Sequence, residues 1–357
     1  MKCVSLSTHL THIFYTVESD TMAFRVAING FGRIGRTTLR ALFAAGHPAL
    51  EVVAINDLTD SKQLAHLFKY DSVHGRYPGQ VSVISEQEIE IDGQRIQTLA
   101  GRNPAELPWG KLGVDLVMEC TGVFTSRESA AQHLSGGARK VLISAPAKGV
   151  DRMVVFGVNH QEIQPSDTII SNASCTTNCL APLVHVLHEA VGVERGFMTT
   201  VHAYTGDQRT VDTTHRDPRR ARAAAVNLIP TTTGSASAIG QVIPELAGKL
   251  DGTSIRVPVP LVSLVDLCVD TTRDTSAEEI NSLMRAAAQG ALQKVLVIND
   301  EPLVSSDFVQ HPASSIFDAT QTQVIEDRFA RLVAWYDNEW GFSNRMVDTA
   351  LALLNAG

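Results

Sequence analysis

Short apolar runs, each of strand length, recur along the first half of the chain: Arg25-Val26-Ala27-Ile28-Asn29, Glu51 to Ile55, Asp115-Leu116-Val117-Met118-Glu119 and Lys140-Val141-Leu142-Ile143-Ser144. Helical stretches such as Thr38-Leu39-Arg40-Ala41-Leu42-Phe43 lie between them. Strands that are apolar on both faces and alternate with helices predict a parallel sheet covered on both sides. Ligands bind such a sheet outside the carboxyl ends of its strands. Gly30, Asp57, Thr121 and Ser144 all fall at those ends.

Beyond residue 175 the pattern changes. Gly196 to Tyr204, Thr253 to Asp270 and Leu332 to Asp337 are longer β-rich runs, with Pro258 and Pro260 placed at an edge or bulge, and a polar loop spans Tyr204 to Asn227. This predicts a second, α+β unit with a mixed or antiparallel sheet. A length of 357 residues is long for one core and agrees with two domains.

The first strand runs directly into Gly30-Phe31-Gly32-Arg33-Ile34-Gly35 and then into a helix. In that context the glycines permit a tight turn and close approach of backbone to a pyrophosphate, and the helix start supplies N–H donors. The first domain is therefore expected to be a Rossmann dinucleotide-binding unit. Asp57 closes the second strand, near the spacing at which an acidic residue accepts from the adenosine ribose hydroxyls. A carboxylate there repels a 2′-phosphate, so NAD is favoured over NADP.

Ser174-Cys175-Thr176-Thr177-Asn178 sets a thiol where a loop becomes a helix. The free amides of the first turn and the helix dipole should lower its pKa and populate the nucleophilic thiolate. Thr199-Thr200-Val201-His202 reads as a strand delivering His202, whose imidazole could hold Cys175 as an ion pair and act as its base. Cys179, one turn later, reads as a packed thiol.

Composition narrows the partners. The net charge of −8 argues against nucleic acid as the main partner, and the basic cluster Arg216 to Arg222 reads as a solvated face or an anion site in a cleft. No apolar stretch is long enough to span a bilayer. The five cysteines show neither metal spacing nor a disulfide framework, as in a reducing cytoplasm. Residues 1–23 lack the apolar core of a signal peptide and the Arg-rich character of a transit peptide. They read as a poorly ordered extension, with Met22 as the natural initiator.

From Phe24 onward the chain resembles phosphorylating glyceraldehyde-3-phosphate dehydrogenases. The likeness rests on Gly30 to Arg36, Asn172 to Cys179, His202-Ala203-Tyr204-Thr205, Arg219 to Arg222, Ile229 to Gly234, Arg256-Val257-Pro258 and Trp335 to Trp340. The resemblance implies that Cys175 attacks the aldehyde, with His202 as base, and that inorganic phosphate cleaves the resulting thioester. It assigns the substrate phosphate to Thr205 and Arg256. It gives the attacking phosphate to Ser174, Thr176, Thr233 and Gly234, with Arg220 in the same loop system. On the NAD side it assigns Gly30, Gly32, Arg33 and Ile34 to the pyrophosphate turn, Asp57 to the ribose, Arg102 and Ser144 to the pocket, and Asn338 to the nicotinamide carboxamide.

The resemblance further implies no metal, a cytoplasmic homotetramer, and a division into residues 24–174 (NAD-binding), 175–338 (catalytic) and 339–357 (a helix returning to the first domain). Thr213-Thr214 stands where strictly NAD-dependent relatives tend to have Leu-Pro, so some NADP use is expected. Phe342 replaces a frequent Tyr and Cys120 a frequent Ser. Erythrose-4-phosphate dehydrogenase, built on the same thiol chemistry, and a redox-sensing or binding role for Cys175 are the alternative readings.

Overall fold

The computed structural model describes residues 23–356, so the expectation for the N-terminal extension lies outside the described residues. The first half forms a nine-stranded sheet from β1 (Phe24–Asn29), β2 (Leu50–Asn56), β3 (Val81–Ser85), β4 (Glu88–Ile91), β5 (Gln94–Leu99), β6 (Leu116–Glu119), β7 (Lys140–Ile143), β8 (Arg152–Met153) and β9 (Ile169–Ser171). Their order is β3-β4-β5-β2-β1-β6-β7-β9-β8. Pairing is parallel from β5 through β8, and only β3, β4 and β5 pair antiparallel. Order reverses on either side of β1, so the crevice at its carboxyl end is a topological switch point.

The glycines of the first turn make that crevice narrow. Gly30 has φ +89°, and a Cβ on it would lie 2.7 Å from the Thr121 amide nitrogen; a Cβ on Gly35 would lie 2.2 Å from the Gly30 carbonyl oxygen. Only glycine lets the Arg33–Ala45 helix begin against the turn. The last helix, Trp340–Asn355, returns to this half and buries Phe342, Met346, Val347 and Leu353 with Val26, Ile28, Leu39 and Met118 in one core.

The second sheet comprises β10 (Val193–Ala203), β11 (Ile229–Thr232), β12 (Leu250–Val257), β13 (Ser263–Thr271), β14 (Leu296–Asn299), β15 (Ser315–Asp318), β16 (Gln323–Ile325) and β17 (Phe329–Tyr336). Its order is β11-β12-β10-β13-β17-β15-β14, with β16 beside β17. Parallel pairs (β10 with β12, β14 with β15) stand among antiparallel ones, so the sheet is mixed. One expectation is corrected here: Thr253 to Asp270 is two strands. Pro258 and Pro260 lie in the turn between β12 and β13, where no ladder bond needs a proline N–H.

Helix Cys175–Val191 packs Leu180, Leu183, Val184 and Leu187 onto this sheet. The chain enters it from β9 through Ala173, a buried alanine at φ +56°. A left-handed alanine costs roughly 1–2 kcal/mol. That bend ends β9 and starts the helix within four residues, which fixes Cys175 between the two domains.

Candidate active site

Cys175 is the first residue of its helix, and Ser174 caps it by accepting from the Thr177 amide at 3.0 Å. His202 is the penultimate residue of β10. The two meet: Cys175 Sγ lies 3.5 Å from His202 Nε2. Cys175 stays partly open, whereas the imidazole is 4% exposed and packs edge-on against Tyr336.

The electrostatics run against the expectation of a lowered thiol pKa. Burial pushes the Cys175 thiol up, and Arg256, together with the Thr176 hydroxyl and the Thr176 and Cys175 amides, pulls it back only in part. Burial, reinforced by Arg256, brings His202 down to about 3. Both shifts disfavour charge separation, because desolvation here outweighs the helix-end contribution.

Which nitrogen of His202 holds the proton is set by Ala203 and Arg256. Nδ1 lies 2.7 Å from the Ala203 carbonyl oxygen, and Arg256 Nη1 lies 2.9 Å from Nδ1 and 3.0 Å from that same oxygen. When Nδ1–H donates to Ala203, Nε2 keeps its lone pair for the thiol proton. The guanidinium has capacity to spare, since its buried Nε has no partner. Its Nη2 has none among the described residues either.

Hydroxyls surround the thiol. Ser174 Oγ is 3.0 Å from Ser235 Oγ, which accepts from Thr233 Oγ1 at 3.0 Å, and Gly234 between them is exposed, with open space at its Cβ position. The three hydroxyls form one hydrogen-bonded chain beside an exposed backbone. Thr176 differs from its expected part: its hydroxyl is 2.8 Å from the Tyr336 hydroxyl, which also meets Thr200 Oγ1 at 2.9 Å. What Thr176 offers an anion is its main-chain N–H. Arg220 is held by Asp207 Oδ2 at 2.8 Å and Thr231 Oγ1 at 2.9 Å. Thr205 lines a cavity of about 330 Å³ that also holds Arg33, Tyr204, Arg209 and Glu339.

A cleft of about 410 Å³ opens at the carboxyl ends of β1, β2 and β6, bounded by Gly30, Gly32, Asp57, Arg102, Cys120 and Thr121 among others. The helix that starts at Arg33 has no side-chain cap and no acidic residue in its first turn, so its amides face the cleft uncompensated. This is what an anionic dinucleotide requires. The side chain of Arg33 is committed elsewhere, to Asp71 and Glu339, both at 2.5 Å. The expected pyrophosphate role of Arg33 and Ile34 is thus left to their backbone N–H groups.

Asp57 Oδ2 accepts from the Phe31 amide at 2.7 Å and Oδ1 from Leu58 N at 2.6 Å, which aims the carboxylate at the turn. The Ser144 amide donates to Glu119 O at 2.9 Å, and its side chain is hydrogen-bonded to the Cys120 thiol, which burial raises to about 12. Asn338 is buried at the other side, with Oδ1 3.1 Å from Ser263 Oγ.

Sequence reasoning missed the scaffold beneath the cleft. Glu119 accepts from Asn29 Nδ2 at 2.6 Å, from Thr121 N at 2.8 Å and from His133 Nε2 at 3.0 Å, while Trp109 Nε1 donates to His133 Nδ1 at 3.1 Å. Asn56 bridges Asn29 to Gly101. A polar residue ending each apolar strand (Asn29, Asn56, Glu119) was the available signal. Ser235, Tyr336 and Ser263 gave none. Among the described residues no His/Cys/Asp/Glu group is arranged to hold a metal, and no helix is long and apolar enough to cross a membrane.

Comparison with known proteins agrees with this geometry. Residues 24–127 match the NAD binding domain of glyceraldehyde 3-phosphate dehydrogenase, and residues 174–338 match its C-terminal domain. A glyceraldehyde-3-phosphate dehydrogenase of Zymomonas mobilis is 60% identical over 331 residues, covering 92% of this chain and 98% of the relative. One from Cereibacter sphaeroides is 57% identical over 332 residues (93% and 99%), and one from Geobacillus stearothermophilus 53% over 337 residues (94% and 100%). Matched by both family domains and more than half identical to these relatives over nearly its whole length, the chain belongs to the glyceraldehyde 3-phosphate dehydrogenase family.

Proposed function

We propose that the chain oxidises D-glyceraldehyde 3-phosphate with NAD and inorganic phosphate to the acyl phosphate 1,3-bisphosphoglycerate, through a thioester on Cys175. The observation that carries this reading is the Cys175–His202 contact at the first residue of a helix, with Arg256 against the imidazole. As the sulfur attacks the aldehyde carbon, His202 Nε2 takes the thiol proton and returns it to the carbonyl oxygen, giving a thiohemiacetal. His202 then removes that hydroxyl proton as the carbonyl re-forms. NAD, when bound, supplies the acceptor for the hydride lost from carbon. Asn338 and the Gly30 turn orient it and Asp57 holds its ribose, so that donor and acceptor carbons face each other.

An oxygen of inorganic phosphate, held by Ser174, Thr233, Gly234 and the Thr176 amide, attacks the thioester carbon. The C–S bond breaks, and His202 returns a proton to the departing sulfur. Arg256 and Thr205 hold the substrate phosphate, and Arg220 supports the loop between the two anion sites. Hydroxyls and guanidinium forks suit phosphate oxygens. Asp57 favours NAD, with some NADP turnover permitted by Thr213-Thr214. Exposed Val211, Val226 and Leu228 on the same loop, and Phe197 and Phe329 on the outer sheet face, support a homotetramer in which that loop meets a neighbour.

The test is the near-ultraviolet appearance of reduced cofactor. Glyceraldehyde 3-phosphate should turn over many times with phosphate and about once per site without it, and NAD should outperform NADP. Faster turnover of erythrose 4-phosphate, or turnover without any dependence on phosphate, would overturn the reading.

A further inference from the structure

A single buried hydroxyl joins the strand that carries His202 to the side chain of Asn338. Ser263 is the first residue of β13, paired with Tyr336 of β17 on one side and alongside the end of β10 on the other. Its Oγ accepts from the Ala203 amide at 3.1 Å and donates to Asn338 Oδ1 at 3.1 Å. A main-chain N–H can only donate, so the one hydroxyl proton remains for the amide oxygen. That commits Oδ1 and turns Nδ2 away from Ser263. Among the described residues Nδ2 has no acceptor.

The main chain around Asn338 is already fixed from both sides. Asp337 accepts from the Glu339 and Trp340 amides at 2.9 and 2.7 Å and from Gln310 N at 2.8 Å. Glu339 is held by Arg33 at 2.5 Å and by His74 Nε2 at 2.9 Å. What stays free is the rotation of the Asn338 amide, and Ser263 is the group that sets it. The Ala203 peptide completes the link: its N–H is held by Ser263, and its carbonyl oxygen faces His202 Nδ1 and Arg256 Nη1.

We infer that Ser263 is a positioning residue for the cofactor: it holds Asn338 with Nδ2 toward the carbonyl oxygen of the nicotinamide carboxamide, and steadies the peptide that orients the base. The inference rests on the NAD-dependent reading above. A site that presents a donor selects ring substituents with a carbonyl acceptor and is indifferent to the amide N–H₂ beside it.

NAD dissociation constants of the full-length protein, of Ser263→Ala, of Asn338→Ala and of the double variant form a cycle that isolates the coupling. Loss of the orienting bond should weaken NAD about fivefold to tenfold in Ser263→Ala, the size of one hydrogen bond. In the Asn338→Ala background the same substitution should change affinity by less than about twofold, because nothing is left to orient. The same fold-change in both backgrounds would show that Ser263 acts through Ala203 alone; no change in either would also overturn the proposal. Should Ser263→Ala fail to fold, the unaltered protein decides. An NAD analogue with acetyl in place of the carboxamide should bind within about threefold of NAD, and a loss of about tenfold or more would mean that the site presents an acceptor. Failure of the enzymatic reading is seen separately, as absence of reduced cofactor from the unaltered chain with glyceraldehyde 3-phosphate.

Discussion

Arg256→Ala separates the two tasks that converge on this guanidinium. Nη1 donates to the Ala203 oxygen and only lies beside His202 Nδ1, whereas Nε is buried without a partner and Nη2 is unengaged among the described residues. The two N–H groups of Nη2 are thus available to a substrate phosphate. Hydrogen bonds to a charged partner contribute about 1.5–3 kcal/mol each, so the pair amounts to roughly 3–6 kcal/mol. At about 1.4 kcal/mol per tenfold, kcat/KM for glyceraldehyde 3-phosphate should fall by about 10² to 10⁴. Glyceraldehyde, which lacks the phosphate, should lose less than about tenfold, the residue of Arg256's pull on the thiol. The base survives, because without Arg256 the Ala203 oxygen is the remaining partner of Nδ1 and keeps the proton there. Steady-state formation of reduced cofactor with both aldehydes measures the split. An equal fall for the two substrates would refute the assignment of Arg256 to the phosphate.

Cys175→Ala should abolish turnover and leave the NAD dissociation constant within about twofold of the unaltered value, since the thiol lines the reaction and not the nucleotide cleft; calorimetry of NAD binding checks it. His202→Asn should lose about 10² to 10⁴ in rate. It should also flatten part of the pH dependence of stability. His202 is held near 3 in the fold, so the unfolded chain takes up this proton first. Its contribution is fully present above about pH 6.5 and is lost progressively as pH falls toward 3, a difference of about 2 kcal/mol at pH 5 that urea midpoints at pH 7 and 5 will show or deny. Gly35→Ala puts a Cβ 2.2 Å from the Gly30 oxygen, so the helix must lift from the turn. A cost of about 1–3 kcal/mol and weaker NAD binding are expected, and an unchanged denaturation midpoint with unchanged affinity would contradict the packing argument.

The order of elements was legible because both periodicities are strong. Apolar runs such as Leu116 to Met118 have no polar face and can sit only in a doubly covered sheet, and Gly30 and Gly35 are explained by contacts under 3 Å that no side chain could make. Cys175 and His202 stood out because each is chemically conspicuous, whereas Arg256 came only through the family resemblance. The residues that aim them are serines, threonines and a tyrosine whose roles depend on register: Ser263 matters because it is paired with Tyr336 and sits beside Ala203, a fact no local pattern contains. Thr176 shows the same dependence on register, since only the fold brings the Tyr336 hydroxyl to it.

The error about the thiol has a more general cause. A helix N-terminus lowers a thiol pKa only insofar as the sulfur is solvated enough to bear charge, and the amount of burial is a tertiary quantity. In this fold Cys175 packs against both cores while His202 lies almost sealed beneath it. An anion near Arg256 would pair with the guanidinium that depresses His202, since Arg256 is the second cause of that shift after burial. On the proposed assignment, substrate phosphate relieves that depression and makes the imidazole a stronger base at the moment a carbonyl is present to be attacked.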